Sequence, residues 1–98
     1  MLFTELPLKD AYLINLEKYE DERGFFSRYW CEAEYKENGL DSNIKQINNS
    51  FNRKKGTIRG LHFQYPPKSE TKIVRCISGA IWDVIVDIRL KSKTYGNW

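Results

Sequence analysis

The chain has 98 residues, of which 41% are hydrophobic and 30% are charged, and its formal net charge is +3 at pH 7. This length allows at most one domain, the apolar fraction is too high for a disordered tail, and no apolar run is long enough to span a membrane. The charge suits an anionic ligand but falls short of a nucleic-acid-binding surface. We therefore expect residues 1–98 to form one small or partial soluble domain.

The amino terminus and the cysteines favour a cytoplasmic protein. The segment Met1–Lys9 contains Glu5 and lacks the basic and apolar regions of an export signal. Cys31 and Cys76 lie far apart and show no CxxC spacing. Two reduced thiols are therefore expected rather than a disulfide.

The first part of the chain predicts one strand and one helix. The segment Tyr12–Leu16 is typical of a short β-strand, and the polar segment Glu17–Gly24 is typical of a surface loop. Residues Cys31–Asn38 favour a helix, and the following Asn38-Gly39 pair supplies the left-handed residue at which many helices end. We expect a short surface helix there.

Four further segments predict strands, namely Ile44–Phe51, Thr57–Gln64, Lys72–Ile77 and Ala80–Arg89. The last two are separated by Ser78-Gly79, which predicts a tight hairpin. The last strand is apolar on both faces, as expected at the centre of a sheet. Several short strands separated by glycine and proline predict an all-β fold of antiparallel sheets, in a sandwich or barrel.

The only histidine, His62, lies in the sequence Arg-Gly-Leu-His-Phe-Gln. Strand alternation places it on one face with Gly60 and Gln64. This pattern supports a structural histidine and a catalytic one about equally, because imidazole serves both as a buried hydrogen bonder and as a general base. One histidine and two distant cysteines are too few ligands for a metal, so we expect neither a metal nor a cofactor.

Four cations, Arg23, Arg59, Lys72 and Arg75, lie in or beside predicted strands. The simplest interpretation of each one alone is a solvated charge at a sheet edge. Together, around one polar face, they would form a pocket for a phosphorylated ligand.

Two other charged groups have simple structural interpretations. The run Arg53-Lys54-Lys55 beside a glycine is typical of a solvated turn, with phosphate or RNA contact as the weaker alternative. Asp83 and Asp87 share a face of the most apolar predicted strand, so at least one should be buried and paired. A salt bridge is the simpler role, and orienting a catalytic group is the alternative.

Three stretches of the chain, taken together, resemble the dTDP-4-dehydrorhamnose 3,5-epimerase family. They are Asp21–Phe26, Gln46–Phe51 and the run from Lys55 to Arg89 that contains the sequences RGLHFQ and DVIVDIR. The resemblance follows the chain in order and continues to the final TYGNW. It implies a cupin-type β jelly roll, incomplete over these residues and usually a homodimer, that needs no metal or cofactor.

The resemblance also implies an activity and a set of site residues. The activity is epimerisation of a dTDP-4-keto-6-deoxyhexose in dTDP-rhamnose biosynthesis, by removal of protons next to the keto group. His62 matches the family's general base, and Lys72 matches the lysine near the keto oxygen. The expected substrate-binding residues are Arg23, Arg28, Gln46, Asn48 and Arg59, with Asp83 supporting the site from behind.

Two departures from the family keep a second hypothesis open. The tyrosine that acts as acid, the carboxylate partner of the base and the later strands all belong to family sequence beyond Trp98. Arg28 stands where many members have glutamate. The alternative to an epimerase is therefore a non-catalytic remnant, which binds a nucleotide-sugar or simply folds as half a cupin, and nucleic-acid binding through Arg53-Lys54-Lys55 is a third and weaker hypothesis.

Overall fold

A computed structural model describes residues 1–98 and divides them into two compact units. One unit combines Met1–Ser42 with Cys76–Trp98, and we call it the frame. The other is Asn43–Arg75, which we call the insert. All four strands and the single helix lie in the frame. The helix is too short and too polar to cross a membrane.

The frame begins with an antiparallel hairpin. Strand β1 (Leu2–Glu5) pairs with β2 (Tyr12–Asn15), with Leu2 opposite Asn15 and Glu5 opposite Tyr12. The connecting loop is closed by the backbone N–H of Leu6, which donates to the carbonyl of Ala11 at 2.8 Å. Strand β2 confirms the strand predicted at Tyr12–Leu16.

A second hairpin occupies the segment that the sequence predicted to be a loop. Strand β3 (Lys18–Asp21) pairs antiparallel with β4 (Gly24–Ser27), so the loop prediction for Glu17–Gly24 is wrong apart from the turn itself. Every residue of β3 is exposed. A strand with two solvated faces has no alternation of apolar and polar residues, so its pairing left no signal in the hydrophobic pattern.

The predicted helix is confirmed as α1 (Glu32–Glu37). It ends in a Schellman arrangement, in which Leu40 N–H donates to the carbonyl of Tyr35 at 2.9 Å and Gly39 N–H donates to Lys36 at 3.0 Å. Gly39 adopts φ +69°, which a residue with a side chain rarely does. The Asn38-Gly39 pair therefore ends the helix in the predicted way.

A small aromatic cluster forms the core of the frame around α1. Tyr35 is only 2% exposed, and its ring packs edge-on to Phe3, with ring centroids 5.4 Å apart. The ring centroids of Trp30 and Tyr35 lie 6.2 Å apart. Burial raises the pKa of the Tyr35 hydroxyl. Aromatic packing against the first hairpin therefore stabilises the helix, which is too short to be stable alone.

The four strands predicted beyond residue 43 do not form. No ladder joins Ile44–Phe51, Thr57–Gln64, Lys72–Ile77 or Ala80–Arg89, and Ser78-Gly79 is a bend without paired flanks. The segment predicted to be central is solvated, with Trp82 87% and Ile81 53% exposed. The physical reason is that a strand persists only where a neighbouring strand takes up its backbone hydrogen bonds, and none of these segments has such a neighbour. The secondary structure that forms is mainly antiparallel strands with one short helix, as the sequence predicted.

Asp87 organises the last segment of the frame. Its carboxylate is buried and accepts hydrogen bonds from Arg89 Nε at 2.9 Å, Ser92 Oγ at 2.5 Å and Thr94 Oγ1 at 2.7 Å. Its backbone also pairs with residues 96 and 97. These bonds, led by that from Arg89, hold the pKa of Asp87 far below its usual range. The prediction that Asp83 or Asp87 is buried and paired is therefore confirmed for Asp87.

Arg89 carries this cluster across to the first loop of the frame. Its guanidinium donates to Asp10 Oδ2 and to the carbonyl of Lys9, both at 3.0 Å, while it also holds Asp87. One side chain therefore joins both segments of the frame through fully formed charged hydrogen bonds.

We expect Asp87→Asn to lower the urea midpoint of unfolding at neutral pH, because the amide cannot replace a carboxylate that accepts bonds from three side chains. Since the folded pKa of Asp87 is depressed, its contribution is complete above about pH 4 and is lost as the pH falls further. The difference between variant and wild type should therefore shrink in acid. Asp83→Asn, which changes an exposed carboxylate on the same segment, is the control, and an equal loss in both variants would contradict this role.

Candidate functional site

His62 lies in the insert with its side chain exposed, and no hydrogen bond or ion pair engages its ring. The segment around it is irregular rather than the predicted strand. Phe63 packs edge-on to Tyr65, with ring centroids 4.9 Å apart, just beyond the histidine. No side chain competes for the imidazole, so a ring nitrogen is available to accept a proton, as a general base requires.

Lys72 is an exposed cation held by a neighbouring carboxylate. Its Nζ lies 3.0 Å from Glu70 Oε1. The pair is partly solvated, with 48% of the lysine side chain and 34% of the glutamate side chain exposed. Such pairs are weak and exchange readily, so a ligand oxygen can compete with Glu70 for the ammonium group.

Arg59 differs from the other predicted cations in the chemistry of its partners. Its Nε donates to Asn52 Oδ1 at 2.7 Å, and its NH2 group lies 3.5 Å from the carbonyl of Phe51. Both acceptors are neutral, so the guanidinium is oriented while its charge stays uncompensated. Within the insert this makes Arg59 a well-placed group for an anionic ligand.

Gln46 and Asn48 lie in the same unit with exposed side chains. Their amides can both donate and accept hydrogen bonds. The insert therefore contains five of the eight predicted site residues, namely Gln46, Asn48, Arg59, His62 and Lys72.

The other three predicted site residues belong to the frame. Arg23 lies at the turn between β3 and β4 and forms an ion pair with Asp21 at 2.5 Å, which lowers the pKa of that carboxyl. Its side chain is 83% exposed. Asp83 is also exposed.

Arg28 takes part in a chain of charges at the end of β4. Its NH1 group lies 2.7 Å from Glu34, and the other oxygen of Glu34 lies 2.7 Å from the amino group of Met1. Glu17 also holds that amino group at 2.7 Å. These contacts raise the pKa of the amino group, first through Glu17, and lower the pKa of Glu34, first through the amino group.

A cavity of about 310 Å³ opens over this chain of charges. Two aromatic side chains, Tyr19 and Phe26, line it together with Arg28 and Glu34. The cavity combines ring surfaces with a guanidinium whose charge is balanced by a carboxylate. It could hold a planar group and an anion only if the ion pair between Glu34 and Arg28 broke and the guanidinium bound the anion instead.

The predicted residues are not joined to one another, since no hydrogen bond or ion pair links any two of the eight. The sequence interpretation missed the groups that hold the cations, which are Asp21, Glu34, Asn52 and Glu70. Asp21 and Glu70 each lie two residues before their cation, a spacing that could have revealed them. Asn52 and Glu34 lie seven and six residues away from theirs and left no local signal. No group of three metal-ligating side chains is present.

Comparison with known proteins places these residues in a sequence family. Residues 5–98 match the family model described as dTDP-4-dehydrorhamnose 3,5-epimerase. The chain is similar to a protein of that name from Sinorhizobium fredii, with 43% identity over the whole chain, which covers 50% of the length of that relative. It is also similar to one from Methanothermobacter thermautotrophicus, with 46% identity over 98% of the chain, which covers 51% of the length of that relative. A Shigella flexneri protein of the same name is 40% identical over 97% of the chain and 51% of its own length.

The chain thus spans about half the length of the curated relatives it matches. No solved structure matches it.

Because Glu34 neutralises Arg28, we expect Glu34→Gln to bind inorganic pyrophosphate more tightly than wild type, measured by calorimetric titration at low ionic strength. The gain should vanish in the double variant Glu34→Gln with Arg28→Gln, since the freed guanidinium is then absent. Glu32→Gln, which changes an exposed carboxylate of the same helix, is the control. Equal affinity in Glu34→Gln and Glu32→Gln would show that Glu34 does not withhold Arg28.

Proposed function

The chain belongs to the dTDP-4-dehydrorhamnose 3,5-epimerase family, and from that premise we propose that it carries the base half of an epimerase site acting on a dTDP-4-keto-6-deoxyhexose. The observation that carries the proposal is the match over residues 5–98, which includes His62 and Lys72. Both residues lie in the insert, exposed and open to a ligand. The reaction is an isomerisation within dTDP-rhamnose biosynthesis.

The chemistry requires a base at the carbon next to the keto group, a cation at the keto oxygen, and an acid on the opposite face of that carbon to return a proton. A proton on a carbon next to a ketone becomes removable when a positive group stabilises the oxyanion that develops. In this proposal His62 removes the proton, since its ring is free of competing hydrogen bonds. Lys72 leaves Glu70 to hold the keto oxygen, because their solvated ion pair is weak.

Binding of the nucleotide is the task of the remaining residues. Arg59, with its uncompensated charge, would hold a phosphate, and Gln46 and Asn48 would donate to the nucleotide-sugar. Arg23 is proposed to contact the nucleotide and Arg28 to bind the substrate, and the aromatic cavity beside Arg28 supports the role of Arg28. Asp83 is proposed to orient a site residue without contacting the substrate itself.

The proposed complete fold is a cupin-type jelly roll, of which residues 1–98 form part of one domain, in a cytoplasmic homodimer. The unpaired segments and exposed apolar side chains beyond residue 72 support this proposal, because strands and apolar faces of this kind are stable only when covered. The length of the relatives supports it too, since the chain spans about half of each.

A second candidate is a protein that binds the nucleotide-sugar without transforming it. It is favoured by the absence of any hydrogen bond between His62 and another side chain, because a base that no hydrogen bond holds in place is less effective. Titration with dTDP separates the two candidates from a purely structural role. Measurable binding without proton exchange would select the second candidate.

We expect the chain to catalyse deuterium uptake by dTDP-4-keto-6-deoxyglucose in deuterated water, and His62→Ala to lower the rate by about 10²–10⁴-fold, the usual contribution of a general base. Mass spectrometry of the sugar measures the uptake. Gln64→Ala, two residues along the same exposed segment, is the control. Uptake that His62→Ala leaves unchanged would remove the histidine from its proposed role.

We expect Trp82→Ser to reduce self-association of the chain, because Trp82 is 87% exposed on the unpaired segment Ala80–Arg89. Multi-angle light scattering over a concentration series measures the effect. Trp98→Ser is the matched control, since Trp98 is 76% exposed but lies outside that segment. A monodisperse monomer in the wild type would contradict the proposed association.

A further inference from the structure

Gly60 is the one glycine in the chain at which an added side chain would approach another group closely. A Cβ placed on Gly60 would lie 3.3 Å from Nδ1 and 3.5 Å from Cε1 of His62. At each of the other five glycines, a Cβ would meet nothing within 4 Å. The imidazole edge therefore lies against the bare backbone of residue 60.

The backbone conformation of Gly60 is a second and separate reason for a glycine at this position. Its φ of +95° lies in a region that residues with side chains rarely adopt. Gly56, in the same unit, has φ +79° and open space around it. The two glycines thus share the conformational demand, and only Gly60 adds the contact with His62.

No hydrogen bond or ion pair fixes the His62 ring, so its orientation depends on the atoms packed around it. A methyl group at residue 60 would be closer to the ring than most Cβ contacts allow. The ring would then shift away from residue 60 by a few tenths of an ångström, because an exposed side chain moves more easily than the main chain.

We propose that Gly60 is a positioning residue for His62, and that the absence of a side chain at residue 60 sets the direction in which the imidazole presents its nitrogens. The inference rests on the proposed function, in which His62 is the base. It adds a specific requirement to that function, since catalysis depends on the position of the base relative to the proton that it removes.

Because the chain contains a single histidine, its ring can be followed by NMR without ambiguity. Three-bond couplings across the Cα–Cβ bond of His62 report the side-chain rotamer, and ring-to-residue-60 Overhauser effects report the contact. We expect Gly60→Ala to change the couplings and Gly56→Ala to leave them as in wild type. Unchanged couplings in Gly60→Ala, or an equal change in Gly56→Ala, would overturn the proposal.

A variant with d-alanine at position 60 keeps the test decisive if Gly60→Ala does not fold. Cys31 and Cys76 are free and allow the chain to be assembled from three synthetic segments by ligation. A d-residue accepts positive φ and directs its Cβ away from the position of the l-residue's Cβ. We expect wild-type His62 couplings in this variant, and couplings shifted from wild type would overturn the proposal.

Deuterium uptake then links the contact to the reaction. We expect kcat to fall in Gly60→Ala with KM unchanged, because a displaced base weakens only the transition state. The outcomes separate the two proposals. Shifted couplings in Gly60→Ala support the positioning role even if the wild type shows no uptake, a result that would count against the proposed function alone.

Discussion

The constraint on which the structure depends is that every strand needs a partner for its backbone. Where the chain supplies one, in the pairs β1–β2 and β3–β4, short hairpins form even from polar residues. Where it supplies none, segments with stronger β-forming composition remain irregular and exposed. The β-propensity of a segment therefore matters less than whether another strand pairs with its backbone. This explains which parts of the chain form strands and which remain irregular.

Most of the predicted site cations are neutralised by ion pairs within the chain. Each predicted site cation rests on an acceptor from its own unit, and in three of four cases that acceptor is a carboxylate. Arg59 alone is held by neutral oxygens. A ligand that competes for the paired cations must displace a carboxylate, so binding would depend on exchange between ion pairs. Arg59 can contribute its charge without such an exchange.

The sequence predicted the features that depend on local interactions. The helix at Cys31–Asn38 and its end at Gly39 were predictable, because helix preference and a left-handed glycine act within a few residues. The hairpin β3–β4 was not, because its solvated faces carry no hydrophobic pattern. The strands beyond residue 43 were predicted from composition, and composition cannot report whether a partner strand is present.

For the candidate site, the sequence supplied the residues and the structure supplied their partners. The roles of His62 and Lys72 come from family resemblance and remain predictions. The neighbours of those residues, such as Glu70 and Asn52, depend on side-chain geometry that no motif encodes. The contact between Gly60 and His62 was equally unpredictable, because the sequence indicated only that the two residues share a face of a strand.

The bridge from Arg89 to Asp10 joins residues 79 apart in sequence, and the insert lies within the loop that this bridge closes. The entropy of closing a loop grows only with the logarithm of its length, so doubling the loop costs about 0.6 kcal/mol. The closure of the frame therefore depends only weakly on the number of residues between Asp10 and Arg89. Substantial lengthening or shortening of the segment that carries His62 and Lys72 would leave the closure of the frame nearly unchanged.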